Sequence, residues 1–279
     1  TFAAAGTGHA NHEAGMDQGF DKFAGLWFPQ TERLHDALME LSPDARERQP
    51  FFLWVHYFNP HAPYVGREPW IGGYARHPER LAAFAGKQPE WFRPMMPVIL
   101  TNQAMQQTMV DLYDAEINYV DSFVKRLFEE VLPDGNTLVI ITADHGEGFF
   151  EHGQYGHASS LFDDELRIPL IIVPPRSGAF SNAVATESVC NLDLYPTILD
   201  LTGVRCQAPV EGRSLRGLLD GRGMESRPLY AELNRAADMT SIRSDGWKLI
   251  NDKVAGTDML FDTGRDPGER ANLLAARPD

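Results

Sequence analysis

Blocks of apolar residues, separated by polar and glycine-rich stretches, predict alternating strands and helices along this chain. Three short runs are almost wholly apolar, as strands inside a parallel sheet usually are: 51–58 (FFLWVHYF), 137–142 (TLVIIT) and 169–173 (PLIIV). Between the first two runs, residues 101–131 place their apolar side chains on one helical stripe. This alternation predicts an α/β fold with a mostly parallel sheet flanked by helices.

Proline and glycine set the expected limits of the other elements in the first 221 residues. The pattern predicts a helix over about 30–41 that ends at Ser42-Pro43, and another helix over 192–201. Residues 19–25 (GFDKFAG) are expected to form a loop. Residues 62–100 are rich in Pro, Gly and Trp, with little periodicity. We expect them to form a long excursion over the surface that could act as a lid.

The character of the sequence changes near residue 222. Three short strand-like segments follow, at 228–233, 240–243 and 247–250. They predict a small C-terminal antiparallel subdomain over residues 222–279. The residues before it, 1–221, are expected to form the α/β domain.

Composition narrows the class of protein. The chain has 279 residues, of which 43% are hydrophobic and 23% charged, so bulk disorder and coiled coil are excluded. A net charge of −14 argues against a nucleic-acid partner, which usually requires a basic face. No apolar run reaches the length of a membrane span. Cys190 and Cys206 are the only cysteines. Whether they form a disulfide stays open, and so does the cellular compartment.

Asp144 and His145 directly follow the strand predicted at 137–142. Ligands of open α/β sheets bind beyond the carboxyl ends of strands, so a carboxylate and an imidazole on this glycine turn can hold one divalent cation. Asp favours hard ions, whereas His shifts the preference towards Mn²⁺ or Zn²⁺. The alternative, from the dipeptide alone, is a helix-capping Asp beside a loop histidine.

Two further segments carry histidines at predicted strand ends. Residues 151–157 (EHGQYGH) place His152 and His157 in a glycine-rich loop, where the backbone can approach a ligand; solvated histidines are the alternative. His61 lies between prolines, which suits a catalytic acid or an anion contact, with a simple turn histidine as the alternative. Together with a cation, these imidazoles could offset charge during hydrolysis of an anionic ester.

Taken together, these segments resemble the sulfatase family of the alkaline-phosphatase superfamily. The resemblance spans nearly the whole chain in the family's order, and the block from ADHGE to RIPL is highly specific. The matching stretches are GFDKFAG, FFLWVHYFNPHAPY, LYDAEINYVDSFVKRLFEEV, TLVIITADHGEGFFEHGQYGHASSLFDDELRIPLIIVPP, LDLYPTILDLTGV and LFDTGRDPGERANL.

The resemblance implies a role for each candidate residue. Asp144 and His145 match the pair that binds the active-site cation, with Ca²⁺ expected first and Mn²⁺, Mg²⁺ or Zn²⁺ as alternatives. His61 matches the histidine that contacts the transferred group or the leaving oxygen. His157 matches the Lys or His that binds the sulfate or phosphate oxygens. Glu165 and Arg167, just before the strand at 169–173, are expected to be structural anchors rather than active-site groups.

One family motif is absent from this sequence, the nucleophile motif Cys- or Ser-x-Pro-x-Arg. Cys190 and Cys206 lack it, and Ser42-Pro43 has the wrong spacing. The early aspartates that complete the family's metal site are also missing. We therefore expect the C-terminal part of a metal-dependent sulfatase, inactive alone, whose partners are a small anionic ester and the N-terminal segment of the same protein. A phosphonate or phosphate monoester hydrolase of this superfamily and a non-catalytic sulfatase-like binding protein are the alternatives.

Overall fold

A short parallel sheet and a four-stranded antiparallel sheet are the main β-structures of the protein. The structure is a computed structural model that describes residues 1–6, 10–26, 31–73, 75–84, 90, 92–176, 178, 180, 184–205, 208–234 and 237–276. Packing divides the chain into a first unit, Thr1–Asn136, and a second unit, Thr137–Asp279. The predicted α/β class with a C-terminal antiparallel sheet is confirmed, and the boundary at residue 222 stays a prediction. None of the helices in the described part of the chain is long and apolar enough to cross a membrane.

The parallel sheet lies in the first unit. Strand β1 (Phe2–Ala5) is fully buried and pairs in parallel with β2 (Lys22–Gly25) on one side and β3 (Leu53–His56) on the other. The apolar run at 51–58 therefore contains a parallel strand, as predicted. The loop predicted over 19–25 is wrong in its second half, because pairing with β1 satisfies the backbone of β2 although its sequence has no strand periodicity.

Helix α1 (Thr31–Glu47) does not end at Ser42-Pro43, so that predicted end is wrong. Pro43 has no N–H to offer the carbonyl of Met39 four residues before it. The hydroxyl of Ser42 donates to that carbonyl at 3.2 Å instead. Leu38 and Ala45 remain buried on either side of the proline, so packing continues along the same face.

The long helix predicted over 101–131 is confirmed. Helix α4 (Gln103–Arg126) begins after Asn102, whose side chain accepts a hydrogen bond from the backbone N–H of Met105 at 3.1 Å. It continues as a π-helical turn over Leu127–Val131. A stripe of its side chains is buried, including Met109, Leu112, Tyr119 and Phe123.

The segment predicted as a surface excursion, residues 62–100, is partly built into the first unit. It contains a 3-10 turn (Trp70–Gly72), helix α2 (Pro78–Leu81) and the start of helix α3 (Phe92–Thr101), all packed on α4. Its buried members are Tyr64, Ile71, Leu81, Phe84 and Ile99. The expectation of a purely superficial segment is therefore wrong, because these apolar side chains reach the core. Its role as a lid stays a prediction, and residues 74, 85–89 and 91 lie outside the described residues.

The other two apolar runs are confirmed as strands of the second unit, but they pair antiparallel with each other. Strand β4 (Val139–Thr142) runs against β7 (Leu170–Val173), with Val139 opposite Val173. The expectation that these two strands are parallel is wrong. A parallel pair needs a crossover that returns the chain to the starting end. The intervening residues instead form a short hairpin, β5 (Gly148–Phe149) with β6 (Tyr155–Gly156), and the one-turn helix α5 (Asp163–Leu166).

Helix α6 (Leu194–Thr202), which follows a 3-10 turn over Asn191–Asp193, confirms the helix predicted at 192–201. It ends at Gly203, which adopts a left-handed φ of 71°. A short helix, α7 (Arg216–Leu219), comes next. Among the described residues Cys190 forms no disulfide, and because Cys206 lies outside them the disulfide alternative stays open.

The last four strands form an antiparallel meander. They are β8 (Leu229–Asn234), β9 (Asp238–Ser244), β10 (Trp247–Asp252) and β11 (Thr257–Asp262), in the order β11-β10-β9-β8. The inner face of the sheet carries Met239, Ile250 and Phe261, which pack with Leu161 and Phe162 from the segment before α5. The predicted strand-like segments are confirmed as β8, β9 and β10, whereas β11 was not predicted.

Candidate active site

Asp144 and His145 lie on a tight turn directly after β4. The backbone N–H of His145 donates to Asp144 Oδ1 at 3.0 Å, and that of Gly146 donates to the carbonyl of Glu165 at 2.7 Å. A Cβ at position 146 would lie 2.1 Å from the carbonyl oxygen of Asp164, so only glycine permits this approach. The turn therefore holds both candidate ligands against the start of α5.

The donor atoms of this turn fit part of a cation shell. His145 Nδ1 lies 2.7 Å from the carbonyl of Gly146 and donates its proton there, which leaves the lone pair on Nε2. That Nε2 lies 3.8 Å from Asp144 Oδ1, a separation that an ion about 2.0–2.4 Å from each atom can bridge. The Asp144 side chain is 70% exposed. Among the described residues, no three His, Cys, Asp or Glu side chains cluster as a metal site, so the pair supplies only part of a shell.

His157 lies beside this turn at the end of the glycine-rich hairpin. Its ring stacks on that of His145, with centroids 4.0 Å apart, and its Nδ1 lies 2.9 Å from Glu147 Oε1. The side chain of Glu147 is 5% exposed. Its hydrogen bond raises the pKa of His157 above the usual value, against the opposing effect of burial. The imidazolium form of His157 is thereby favoured.

The backbone around His157 is unusual. Ala158 has a φ of 61°, a left-handed conformation that costs a residue with a side chain about 1–3 kcal/mol. The following residues are fixed by the buried carboxylate of Glu165, which accepts from the hydroxyls of Ser159 at 3.0 Å and Ser160 at 2.8 Å. These contacts agree with the expectation that Glu165 is an anchor.

His152 is at the tip of the same hairpin and has a different environment. Its ring stacks on Phe162 with centroids 3.7 Å apart and only 3° between the planes. Nδ1 faces Asp164 Oδ2 at 3.1 Å, and Nε2 faces the carbonyls of Gly268 at 3.1 Å and Glu269 at 3.2 Å. His152 is therefore held by the protein rather than solvated or exposed to a ligand.

His61 lies in the first unit, in the turn after β3. Its N–H donates to the carbonyl of Phe58 at 3.0 Å, and its ring lies 4.4 Å from that of Phe58. Nδ1 lies 2.5 Å from the carbonyl of Ala62. The structure thus brings Asp144, His145 and His157 together in the second unit. The convergence of His61 with them stays a prediction.

Glu147 was missed by reasoning from the sequence, although it belongs to the ADHGE block. Its position two residues after His145 would place both side chains on the same face of an extended chain, and it gives no indication of a bond to a histidine ten residues later. The hairpin of β5 and β6, which pairs Gly148 with Gly156, brings the two together. A short hairpin with glycines at both ends is the signal that could have predicted this pairing.

The α/β fold, with its parallel sheet and C-terminal antiparallel sheet, is shared with solved structures of a phosphonate monoester hydrolase and of a putative sulfatase. The family model named Sulfatase matches residues 6–204, and the chain belongs to the sulfatase family. A second family model, N-sulphoglucosamine sulphohydrolase, C-terminal, matches residues 150–278. The resemblance noted from the sequence is confirmed.

Known relatives support this assignment. The chain is 28% identical over 252 residues to an uncharacterized sulfatase, YidJ, of Escherichia coli K12, covering 84% of this chain and 49% of the relative. It is 28% identical over 248 residues to a choline-sulfatase of Rhizobium meliloti, covering 82% of this chain and 47% of the relative. The chain thus spans about half the length of these relatives.

A solved structure shares the fold. The phosphonate monoester hydrolase of Agrobacterium radiobacter superposes with a TM-score of 0.68 over 89% of this chain and 57% of its own, at 20% identity. At this identity the likeness concerns the fold alone.

Proposed function

We propose that this chain belongs to a metal-dependent hydrolase of sulfate esters. The observation that carries the proposal is the grouping of Asp144, His145 and His157, in which a pair suited to a cation lies against a histidine suited to an anion. Membership of the sulfatase family supports the reaction class. The substrate is then a small anionic ester.

Asp144 and His145 would hold one divalent cation, Ca²⁺ first, with Mn²⁺, Mg²⁺ or Zn²⁺ as alternatives. When bound, such an ion offsets negative charge on the transferred group. His145 contributes a neutral ring whose Nδ1–H is occupied by the Gly146 carbonyl. Asp144 contributes an exposed carboxylate, and the remaining ligands would come from residues beyond these two.

His157 would bind an oxygen of the sulfate group through Nε2–H. The hydrogen bond from Nδ1 to Glu147 orients the ring and keeps it protonated, so the contact is charge-assisted. His61 would contact the transferred group or donate a proton to the departing oxygen. Its Nδ1 lies 2.5 Å from the Ala62 carbonyl, and this contact orients the ring.

We propose that the nucleophile lies outside these 279 residues. The thiol of Cys190 contacts the guanidinium of Arg227 at 3.4 Å and Asp193 Oδ2 at 3.8 Å, within the turn before α6. Cys190 lacks the family's motif. The chain alone should then hydrolyse neither an aryl sulfate nor an aryl phosphate at an enzymatic rate.

A phosphonate or phosphate monoester hydrolase is the second candidate. A histidine rather than an asparagine after Asp144 favours it, and the fold is shared with a phosphonate monoester hydrolase. A non-catalytic binding protein of the same fold would keep the anion contact of His157 without turnover.

The test uses the longer protein that contains this chain. Hydrolysis of an aryl sulfate, an aryl phosphate and an aryl phosphonate is measured with metal and with a chelator. We expect metal-dependent hydrolysis, highest for the sulfate, and a loss of about 10²-fold or more in His157→Ala. His12→Ala, in an exposed pair with Asp17, is the matched control and should keep full activity. Preference for the phosphonate would favour the second candidate, and no turnover with retained sulfate binding would favour the binding protein.

A further inference from the structure

A buried group of ions joins the C-terminal sheet to the residues that follow the hairpin. Lys248 on β10 is 1% exposed, and its Nζ lies 2.8 Å from Asp163 Oδ1 and 2.7 Å from Glu269 Oε1. Arg243 on β9 binds both oxygens of Asp163, at 2.8 and 2.6 Å. Two cations therefore face two carboxylates, and the group is balanced in charge.

Glu269 adds a second link to the same residues. Its Oε2 accepts a hydrogen bond from the backbone N–H of Asp163 at 2.7 Å, and its backbone has a left-handed φ of 51°. Burial raises the pKa of Glu269, and Lys248 only partly opposes this. Burying such ions rarely gains stability over packed apolar side chains, so the group needs another explanation.

The hairpin tip provides that explanation, because it is fastened to the same segment. Both nitrogens of His152 face oxygens, those of Asp164 on one side and of Gly268 and Glu269 on the other. The tip of the hairpin is thus tied to Asp164 and to Glu269. Glu269 belongs to the ion group, and Asp164 is next to Asp163, which also belongs to it.

The hairpin is the element that carries His157. Its base is tied to α5 by the Gly146 N–H, and its strands pair Gly148 with Gly156. Its tip is tied to Asp164, Gly268 and Glu269 through His152. A tip that opened would free the short strand ending at Gly156, next to His157.

We propose that Lys248, Glu269 and His152 are positioning residues that hold the β5–β6 hairpin so that His157 stays beside the cation pair. The role assigned to His157 rests on the proposed function, whereas the fastening of the hairpin does not. All three are assigned a role that acts through the hairpin.

The test uses a charge-balanced double variant, Lys248→Met/Glu269→Gln. It removes one cation and one anion, and with them the ion pairs of Lys248 with Asp163 and with Glu269, and it leaves Asp163 with Arg243. The matched control is Lys253→Met/Asp238→Asn, an exposed pair on the same sheet at 2.8 Å. Amide hydrogen exchange is followed at Phe150 and Gly153, whose N–H groups bond within the hairpin. Inorganic sulfate is the binding probe, followed through the ring Hε1 of His157, and thermal unfolding reports the global stability.

We expect exchange at Phe150 and Gly153 to be at least tenfold faster in the double variant, and the Kd for sulfate to rise at least fivefold. The control should change neither. A double variant that folds with hairpin exchange and sulfate affinity unchanged would overturn the proposal. If the double variant does not fold, the His152→Leu variant is the test. Its leucine can pack on Phe162 but cannot form the hydrogen bonds of the imidazole. Unchanged hydrogen exchange in the hairpin of that variant would also overturn the proposal.

Failure of the proposed function gives a different result. A wild-type chain that binds no sulfate would remove the role of His157 as an anion contact. The exchange rates would still decide whether the ion group and His152 fasten the hairpin.

Discussion

The three histidines of the hairpin region differ in what their ring nitrogens face. His145 gives Nδ1–H to a carbonyl and keeps a lone pair on Nε2, which suits a cation. His157 gives Nδ1–H to a carboxylate and favours the charged form, which suits an anion. His152 faces acceptors on both nitrogens and is bound by the protein itself. One residue type thus has three uses, set by the acceptor that each ring meets.

Removal of the Asp144 carboxylate should weaken cation binding. In Asp144→Ala we expect the apparent Kd for Ca²⁺ or Mn²⁺ to rise at least tenfold, because a charged oxygen ligand is lost. Calorimetric titration of the longer protein measures this. Asp245→Asn, at an exposed turn of the second unit with a φ of 50°, is the control and should bind as the wild type does. Equal affinity in Asp144→Ala would contradict the assignment.

Glu147 should control the protonation of His157. In Glu147→Gln we expect the pKa of His157 to fall towards its usual value, because the hydrogen-bonded carboxylate is the largest cause of the raised pKa. Since a raised pKa keeps the imidazolium to higher pH, sulfate binding in the variant should be lost at a lower pH than in the wild type. NMR titration of the histidine rings measures both. Glu151→Gln, exposed on the same hairpin, should leave the profile in place.

At the level of elements, short turns decide where the candidate residues lie. The turn at Gly146 and the pairing of Gly148 with Gly156 are each formed by only a few hydrogen bonds. Neither β5 nor β6 is longer than two residues. Such elements have little stability of their own and depend on contacts with α5 and the C-terminal sheet.

Gly146→Ala should damage the turn severely. The new Cβ would meet a backbone carbonyl at 2.1 Å, so the turn must shift, and we expect a loss of about 3 kcal/mol in the free energy of unfolding. Gly153→Ala is the comparison, because nothing lies within 4 Å of its Cβ and only its φ of 77° opposes a side chain. There we expect a loss of about 1 kcal/mol. Urea denaturation measures both, and equal losses would refute the argument from close approach.

At the scale of the whole molecule, acid should weaken the second unit through Asp163. Burial would raise the pKa of Asp163, but Lys248 and Arg243 outweigh burial and lower it below 3.8. A lowered pKa in the folded state means that this stability is present above the unfolded pKa and is lost as the pH falls through the folded pKa. The free energy of unfolding, measured by urea denaturation between pH 2.5 and 7, should therefore depend less steeply on pH in Asp163→Asn than in the wild type.

Glu269 acts in the opposite direction within the same group. Its pKa is raised by burial, so its contribution is greatest below 4.5 and falls as the pH rises through the folded pKa. In Glu269→Gln the free energy of unfolding should therefore decline less than in the wild type as the pH rises towards neutrality. Asp238→Asn, which removes one partner of an exposed ion pair, is the control. It should leave the pH dependence of the free energy of unfolding unchanged, since such pairs contribute little to stability.

Local signals in the sequence determined several parts of this protein correctly. The apolar run at 51–58, the helical stripe at 101–131 and the strand-like segments after residue 222 predicted β3, α4 and most of the last sheet. Each of these elements buries a face that is visible as a periodic pattern, so neighbouring residues alone carry the signal. The motif around Asp144 and His145 was equally local and, with the other motif blocks, indicated the family.

Only the tertiary structure decided the features that depend on distant residues. Strand β2 exists because β1 pairs with it, α1 passes Pro43 because Ser42 caps a carbonyl, and β4 meets β7 antiparallel because no crossover separates them. The sequence did not indicate that Lys248 belongs to a buried ion group. Its partner Asp163 lies far before it in the sequence, and its partner Glu269 lies beyond the turn that follows its strand. Periodicity reports which side chains are buried, but not which backbone or charge meets them; that depends on the path of the whole chain.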